Sequence, residues 1–521
     1  MKINPYFRYI RTFLKILIFF IVFIFQSYDN AKCDSLAIKD EKVKTAIDSA
    51  KNTENTDHLE EQGHGDKFAP IYLLLFFIIT GAVLGRYIAG KINQPAVLGE
   101  LIAGVVIGLV LFQFNSPVMT LIRHQDDVYR IVQSNLTENV TWEKAVRENL
   151  PDESFQEGGY GIEMIKIMES PEFPGYNMTV EAIFLLSSFG VLVLLFAVGL
   201  ESNIDDMLKV GGPAFSTAVT GVVVPSVLGY FTAKIFLPDH DPNFYLFTGA
   251  ALCATSVGIT ARVFKDMGKL NIPEAKIVLG AAVIDDILGL IVLAVVAGII
   301  SSGSLEISTI GIILLKAVLF LGVTLFIGAK FLRQQIKVAA ILDNKNIRLL
   351  FPFALLVLLA WVSDKIGLAS IVGAFTAGLI IKEEYFNDAL KDKHKTVKSV
   401  IEPIETIFAP IFFVIMGLQV DLSAFVNFNI LGVALALTAV AIIGKLVSGI
   451  FAKGMDKKII GIGMVPRGEV GLIFASIGKS IGVLNGTLFS GIIIIVILTT
   501  FITPPALKWA FESYDKKRLD S

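Results

Sequence analysis

Residues 281–296 read AAVIDDILGLIVLAVV and place two adjacent aspartates, Asp285 and Asp286, inside a strongly apolar run. A charged side chain near the middle of a bilayer costs about 2.5–3.5 kcal/mol on insertion scales, so such residues usually face a wet cavity or a partner. Successive residues of a helix point about 100° apart, so one carboxylate can face a pathway while the other faces a neighbouring helix. Two close carboxylates in a medium of low dielectric do not both stay ionised easily, which suits a site that exchanges protons. The plain alternative is a buried ion pair that only locks helices together.

The composition around this run is that of a membrane protein. Of the 521 residues, 54% are hydrophobic and only 18% are charged, and the mean hydropathy is +0.69. A membrane-spanning helix needs about 20 mainly apolar residues. The sequence therefore predicts an all-α polytopic membrane protein with thirteen transmembrane helices. The predicted spans are 68–88, 96–113, 181–200, 212–236, 244–262, 275–300, 309–330, 349–363, 368–382, 401–418, 429–452, 459–479 and 486–509.

The chain begins with a leader, residues 1–33, that has a basic start followed by a short apolar stretch. This layout is typical of a secretory signal peptide, and a retained N-terminal anchor helix is the alternative. Residues 34–66 are polar and are predicted to form an exported, weakly ordered segment. Residues 67–510 are predicted to form the membrane domain, and 511–521 are a short tail.

Lysine and arginine in the connections predict the orientation. One set of alternate connections holds 24 basic residues in 93 positions, whereas the short opposite set holds 3 in 44. Basic residues mark the cytoplasmic side, so the first set and the C-terminus are predicted to be cytoplasmic. Residue 67 then lies outside, in agreement with an exporting leader. The basic set is 85–95, 201–211, 262–276, 330–348, 382–398, 453–458 and 508–521.

The long connection 114–178 falls on the external side in this topology. It carries eleven Asp or Glu against five Lys or Arg. We expect a solvated external insertion, and attraction of cations toward the outer mouth is the alternative. Three Asn-x-Thr tripeptides in this region match the N-glycosylation pattern, which matters only in a eukaryote.

Several classes of function are disfavoured by composition. The net charge of −2 shows no basic excess for nucleic acid. The five histidines are scattered and do not have the spacing of metal ligands. Cys33 lies near the N-terminus and Cys253 lies deep in an apolar run, so a disulfide between them is not expected. No Gly-rich loop follows a strand, and the short tail leaves no room for a nucleotide-binding regulatory domain, so an ATP-driven pump is not expected.

Three other charges lie deep in predicted spans: Lys445, Arg467 and Glu469. Lys445 is the natural counter-charge for the aspartates, although it could instead extend toward the inner surface. Glu100 and Lys316 lie nearer the ends of their helices, where such side chains can reach water.

Two apolar segments contain residues that weaken a helix. The stretch CATSVGITARVF, 253–264, carries Thr255 and Ser256, and the stretch GMVPRGEVGLIF, 463–474, carries a proline and several glycines. Unwinding at these points would expose backbone carbonyls at mid-membrane, as in transporters with broken helices, whereas a plain kink is the alternative for each. Their matching positions predict inverted repeats, 212–300 against 429–509, with two crossed discontinuous helices.

The motifs together resemble the monovalent cation:proton antiporter-2 family, and in particular its bacterial sodium/proton antiporters with an adjacent aspartate pair. The resemblance covers roughly residues 68–510. It is carried by PAVLGELIAGVVIGL (95–109), ATSVGITARVFKDMGKL (254–270), AAVIDDILGLIVLAVV (281–296), PIFFVIMGLQVDL (410–422) and GMVPRGEVGLIFASIG (463–478).

The resemblance implies a role for each site residue. Asp286 is similar to the essential carboxylate that takes either the cation or a proton, so it would bind the transported metal ion transiently. Asp285 is similar to the partner carboxylate that pairs with the lysine at the position of Lys445. Thr255 and Ser256 match the unwound helix whose oxygens line the site.

The same resemblance implies a structural charged pair, Arg467 with Glu469, and a fold of thirteen helices with a panel that dimerises and a core that moves. The adjacent aspartates imply electrogenic exchange of more than one proton per cation. The sequence departs from the family at Leu109, where many members have proline after the glycine, and in its leader and 114–178 insertion.

The sequence thus predicts a secondary antiporter, not an enzyme, in a bacterial plasma (inner) membrane. It would exchange Na⁺ or Li⁺ for protons at one alternating site, without a cofactor and with membrane lipid and a second copy of itself as partners. Potassium/proton exchange is the main alternative. An intramembrane aspartyl protease would need carboxylates on two facing helices, and a channel has no need of a basic partner beside two titrating acids.

Overall fold

The computed structural model describes residues 68–519, apart from 93, 115, 157–158, 202–203, 268, 270–271, 303–306, 343–345, 391–395, 421–427 and 453–454. The predicted leader 1–33 and polar segment 34–66 lie outside the described residues, and so does Cys33.

The regular elements of the described residues are helices. Most begin or end where apolar periodicity meets Pro, Gly or a capping residue; for example, the Thr396 side chain accepts from the Ser399 N–H in a capping box. In chain order they are α1 (Ala69–Lys91), α2 (Ala96–Gln113), α3 (Pro117–Arg123), α4 (Gln125–Glu138), α5 (Trp142–Asn149), α6 (Gly161–Glu169), α7 (Phe173–Glu201), α8 (Ile204–Phe236), α9 (Pro242–Ala251), α10 (Val257–Asp266), α11 (Pro273–Ser302), α12 (Ile307–Val323), α13 (Ala329–Leu342), α14 (Ile347–Lys365), α15 (Ser370–Ile380), α16 (Glu383–Leu390), α17 (Val397–Leu418), α18 (Phe428–Ser448), α19 (Lys457–Gly463), α20 (Glu469–Ser480) and α21 (Gly486–Leu519).

The prediction of an all-helical, multi-pass membrane protein is confirmed. In the described part of the chain, nine helices are long and apolar enough to cross a membrane, or ten if α12 and α13 form one bent span. The other predicted spans fall on shorter pieces. The segments 244–262 and 459–479 are each divided between two short helices, and 368–382 contains the 11-residue α15.

Helix packing divides the membrane helices into two groups. The panel consists of α1, α2, α7, α14, α15 and α17, and the core consists of α8–α11 and α18–α21. The core contains the same order twice, namely a long helix, an interrupted helix and another long helix. The aspartate pair therefore lies on the helix that follows the first interruption.

The short helix α15 is buried in the panel because its glycines let other helices approach closely. A Cβ on Gly378 would lie 2.1 Å from the carbonyl oxygen of Phe196 on α7, and a Cβ on Gly373 would lie 2.0 Å from that of Leu359 on α14. Residues 371–380 are all buried. Small residues commonly mediate such close packing of membrane helices.

The 114–178 insertion is folded rather than merely solvated. Its helices α3–α6 enclose fully buried apolar side chains, among them Leu121, Ile131, Val146 and Met164, each 0% exposed. These short amphipathic helices could not be predicted from the sequence, because their apolar residues are spread over pieces of only seven to fourteen residues.

Candidate ion-binding site

Two interruptions in the core helices meet each other. The first lies between α9 and α10, at 252–256, and the second between α19 and α20, at 464–468. Each interruption leaves helix-end N–H and C=O groups that need partners. In a membrane, backbone of this kind is tolerated only where protein or a water-filled cavity surrounds it.

Three hydrogen bonds join the two broken segments: two run between the interruptions themselves, and the third runs between the adjoining helices α10 and α19. They run from the backbone N–H of Ser256 to the oxygen of Pro466 (2.8 Å), from the hydroxyl of Thr255 to the oxygen of Met464 (3.3 Å), and from the hydroxyl of Thr260 to the oxygen of Gly463 (2.7 Å). All three donor residues are buried. Donors at residues 255, 256 and 260 thus hold the backbone carbonyls of the second broken segment in place.

Glycine at position 468 allows the two interruptions to pack closely. A Cβ there would lie 2.8 Å from the Ser256 hydroxyl oxygen and 3.0 Å from the Ile259 side chain, which is closer than carbon atoms normally approach these groups. By contrast, Gly471 lies inside α20 and does not interrupt the helix.

Arg467, in the second interruption, binds the backbone of the first. Its side chain is 1% exposed, and its Nη1 donates to the carbonyl oxygen of Ala254 at 2.8 Å. Its own carbonyl accepts from the Thr500 hydroxyl at 2.6 Å. Among the described residues, its Nε and Nη2 have no hydrogen-bond partner. The side chain of Glu469, its predicted structural partner, lies outside the described residues.

The aspartate pair faces two different surroundings. Asp285 is 0% exposed, and its two carboxylate oxygens lie 3.0 and 3.3 Å from Lys445 Nζ on α18. Lys445 is also 0% exposed, so it does not extend to the inner surface. Asp286, one residue further along α11, is buried at 6% exposure.

The ion pair lies beside the first interruption. The charges of Asp285, Lys445 and Arg467 all act on the buried thiol of Cys253. A Cβ on Gly289, one turn beyond Asp285, would lie 3.9 Å from the Cys253 sulfur. The structure therefore gathers the predicted site residues of α11, α18 and both interruptions in one region of the core.

The end of the Lys445 side chain packs beside Gly221 of α8, where an alanine would make only ordinary van der Waals contacts. A Cβ on Gly221 would lie 3.5 Å from Lys445 Nζ and 3.6 Å from the Met464 methyl carbon. One turn away, Gly444 packs against Pro225, where an added Cβ would meet ring atoms at 2.9 Å. These small residues were not singled out in the sequence, since their role appears only when α8 and α18 are placed together.

Another buried acid lies in the panel. Glu100 on α2 is 2% exposed and forms an ion pair with Arg86 on α1. The sequence suggested that Glu100 could reach water from its helix end, but the structure encloses it between helices. Close approach of Gly85 and Gly99 next to the pair explains the burial, since a Cβ on Gly85 would lie 2.1 Å from the Gly99 oxygen.

A polar cluster in the insertion contacts the core. The Lys479 ammonium, at the end of α20, donates to the carbonyl oxygen of Arg123 at 2.8 Å and to the Gln419 side chain. Nearby, Tyr160 donates to Asp127 at 2.7 Å, and the rings of His124 and Tyr160 stack with centroids 3.5 Å apart. The insertion thus touches the helix that carries the second interruption.

Burial and hydrogen bonding set the protonation of this cluster. Burial lowers the pKa of His124 below 6.5, although Asp127 opposes the shift. Burial alone would raise the pKa of Asp127, but hydrogen bonds from His124, Tyr160 and Arg130 outweigh it and lower that pKa to about 2. Burial raises the pKa of Asp126. At neutral pH, Asp127 is therefore ionised and His124 is neutral.

Comparison with known proteins points to one family. A sequence profile described as sodium/hydrogen exchanger, transmembrane, matches residues 77–512. The high-affinity Na⁺/H⁺ antiporter NhaS3 of Synechocystis is 34% identical over 86% of this chain and 91% of its own length. The Na⁺/H⁺-K⁺ antiporter GerN of Bacillus cereus is 34% identical over 68% of this chain and 89% of its own.

A solved structure shares the fold. The sodium proton antiporter MjNhaP1 of Methanocaldococcus jannaschii aligns with a TM-score of 0.54 at 15% identity, over 85% of this chain and 98% of its own. At that identity the likeness concerns the arrangement of helices alone.

Proposed function

The chain belongs to the sodium/hydrogen exchanger family, and from this membership we propose that it is a secondary antiporter that exchanges a monovalent cation for protons across a membrane. Sodium or lithium is the proposed cation. The two relatives described above carry names of Na⁺/H⁺ antiporters, which supports this choice. The protein needs no cofactor in this scheme, because the ions are its cargo.

The observation that carries the proposal is the burial of two adjacent carboxylates, Asp285 and Asp286, on one helix of the core. Asp285 already has Lys445 at 3.0 Å, so its charge is balanced inside the core. Asp286, beside the crossed interruptions, is the carboxylate proposed to take a cation or a proton in turn. Because both ligands compete for one group, the binding of one expels the other, and exchange follows without any chemical step.

The oxygens around such a site suit a hard cation. Sodium that loses its water needs several oxygen ligands, which carboxylates, hydroxyls and backbone carbonyls can supply. We assign Thr255 and Ser256 to the lining of the site, with Asp286 as the transient metal ligand. Arg467 and Glu469 are proposed to have a structural role in the second crossed helix.

The proposed topology completes the scheme. Thirteen spans, with α9–α10 and α19–α20 each counted as one broken span, place the C-terminus in the cytoplasm and the 114–178 insertion outside. The repeated helix order in the core supports inverted repeats, 212–300 against 429–509. We place the protein in a bacterial inner membrane as a homodimer formed through the panel, with the core alternating between the two faces.

Potassium/proton exchange is the second candidate. The name of the Bacillus cereus relative includes K⁺ as well as Na⁺, which keeps this alternative open for a chain 34% identical to it. The aspartate pair favours electrogenic exchange in either case, with more than one proton per cation.

The purified full chain in sealed proteoliposomes tests the function. A pH-sensitive dye inside the vesicles is read while Na⁺, Li⁺ and K⁺ are added in turn, and an imposed membrane voltage reports the stoichiometry. We expect Na⁺ and Li⁺ to drive proton movement that empty vesicles lack, and the voltage to change its rate. If no monovalent cation moves protons at any starting pH, the proposal is wrong.

A further inference from the structure

A bend separates α13 from the apolar helix that precedes it. The directions of Leu315–Phe326 and Lys330–Leu342 differ by 53°, with a π-helical turn at Thr324–Gly328 between them. Such turns interrupt the regular ladder of helical hydrogen bonds and are a recognised cause of sharp bends. α13 therefore leaves the direction of α12 and begins within a few residues of the end of an apolar span.

One face of α13 packs on the protein and a second face is exposed and apolar. Leu332 and Ile336 are 4% and 0% exposed, and the helix contacts α14 and α16. On the second face, Phe331, Val338 and Leu342 are 58%, 57% and 84% exposed. Their spacing of seven and four residues places these three side chains in one stripe along the helix.

A third face is basic. Lys330, Arg333 and Lys337 recur at intervals of three and four residues, so they share one side of the helix. At about 100° per residue, the packed, basic and apolar faces lie roughly 120° apart around the helix axis. A helix that lies flat in a membrane interface is expected to show this distribution, with protein on one side, apolar side chains on another and basic side chains on the third.

We propose that α13 lies in the headgroup region of the cytoplasmic leaflet and binds anionic phospholipid there. The apolar stripe faces the acyl chains, and Lys330 and Lys337 bind the phosphate groups. Two observations select the membrane over a protein partner. α13 continues directly from the apolar α12, and its basic face complements the negative surface of that leaflet. The inference rests on the proposed topology, which puts 330–348 in the cytoplasm, and goes beyond ion exchange.

Spin labels at two adjacent positions test the placement. In a Cys33→Ser background of the full chain, with the buried Cys253 retained, a nitroxide is attached to Val338→Cys or to Lys337→Cys in proteoliposomes containing phosphatidylglycerol. We expect the label at 338 to collide mainly with oxygen, which partitions into the membrane, and the label at 337 mainly with a water-soluble nickel chelate. A label at 338 that is reached mainly by the nickel chelate, or by neither reagent because protein covers it, overturns the proposal.

Lipid binding tests the role of the charges. Fluorescent phosphatidylglycerol is titrated onto the full chain in a neutral detergent, with phosphatidylcholine of the same chain length as the uncharged comparison. Each basic residue near an anionic surface contributes about 1 kcal/mol, so Lys330→Gln/Lys337→Gln is expected to weaken phosphatidylglycerol binding about 25-fold and to leave phosphatidylcholine unchanged.

The matched control is Lys91→Gln/Lys508→Gln, which removes the same charge from two other exposed lysines on the proposed cytoplasmic side. It should bind phosphatidylglycerol as the unmodified chain does. Equal affinity of the α13 variant and the unmodified chain, or an equal loss in the control, refutes the proposal. Neither measurement involves transport, so a failed exchange assay and a failed lipid test can be told apart.

Discussion

Asp285 in the core and Glu100 in the panel are both buried acids that pair with a base, but they differ in what surrounds them. Asp285 and Lys445 are both 0% exposed, beside a second carboxylate and two interrupted helices. Glu100 is 2% exposed, but its partner Arg86 is 36% exposed, and both lie on uninterrupted helices. A buried ion pair is therefore not a transport site by itself. The core differs in having an extra acid and backbone groups freed from helical bonding.

The largest expected effect separates Asp286 from Glu100. We expect Asp286→Asn to reduce cation-driven proton movement in proteoliposomes to the level of empty vesicles, because the amide can neither release a proton nor balance a cation. Glu100→Gln is the matched control, since it neutralises a buried acid in the panel, and should retain exchange. Clear activity in Asp286→Asn would remove that residue as the binding group.

Removal of Lys445 should cost more stability than removal of any partly exposed base. Lys445→Ala leaves Asp285 buried without its ammonium partner, and breaking such a pair typically costs about 3–5 kcal/mol. The measurement is the melting temperature of the purified protein in detergent. The double variant Asp285→Asn/Lys445→Met, which removes both charges, should recover part of the loss. An unaltered melting profile in Lys445→Ala would refute a structural role for the pair.

A smaller change is expected for the panel pair. Arg86 is partly solvated but Glu100 is buried, so the cost of losing Arg86 should lie between about 1 kcal/mol for an exposed pair and the larger cost for a fully buried pair such as Asp285–Lys445. Arg86→Gln should therefore lower the melting temperature by only a few degrees and leave the exchange rate within about twofold of the unmodified chain. Loss of exchange with normal stability would mean that the two pairs are not as different as the structure indicates.

The smallest expected effect is a pH dependence of stability in the 114–178 insertion, which arises from titratable groups outside the membrane spans. Because the pKa of His124 is lowered on folding, the folded insertion is most stable above pH 6.5 and loses stability as the pH falls below that value. Asp127, with a pKa of about 2 against 3.8 when unfolded, loses its contribution only below about pH 4. The pKa of Asp126 is raised on folding, so protonation of this carboxyl at acid pH favours the folded state and partly offsets the losses at His124 and Asp127.

We therefore expect amide exchange in α4–α6, corrected for its intrinsic pH dependence, to be less protected at pH 5.5 than at pH 7.5. His124→Phe keeps an aromatic ring to stack on Tyr160 and removes the titrating group, so it should reduce the difference. Equal protection of the unmodified insertion at both pH values would contradict this assignment.

Long apolar segments made most of the fold readable from the sequence. The segment 96–113 has the length and composition of a membrane-spanning helix, which are typical of few other structures. The structure has α2 at those residues. The short segment 368–382 was readable too, because its small residues require close neighbours. The bend at Thr324–Gly328 was not, since one threonine and one glycine do not set this segment apart from the other apolar helices.

The candidate site could be predicted only in part. Two adjacent aspartates, a deep lysine and two weak helices stand out from their apolar surroundings, and the structure places them in one region. The crossing itself could not be read, because bonds such as Thr260 to Gly463 join residues about 200 positions apart and depend on the tertiary fold. The burial of Glu100 and the folded insertion depend on packing in the same way.

The central claim is that one buried carboxylate, Asp286, holds a metal ion and a proton in turn. Proton release on cation binding tests it most directly. NaCl is added to the purified full chain in weakly buffered detergent solution, choline chloride serves as the ionic-strength control, and a pH dye reports the protons released per chain. The account predicts release with Na⁺ that is absent with choline, and absent in Asp286→Asn but present in Glu100→Gln. Sodium binding that releases no proton, or release that persists in Asp286→Asn, would contradict it.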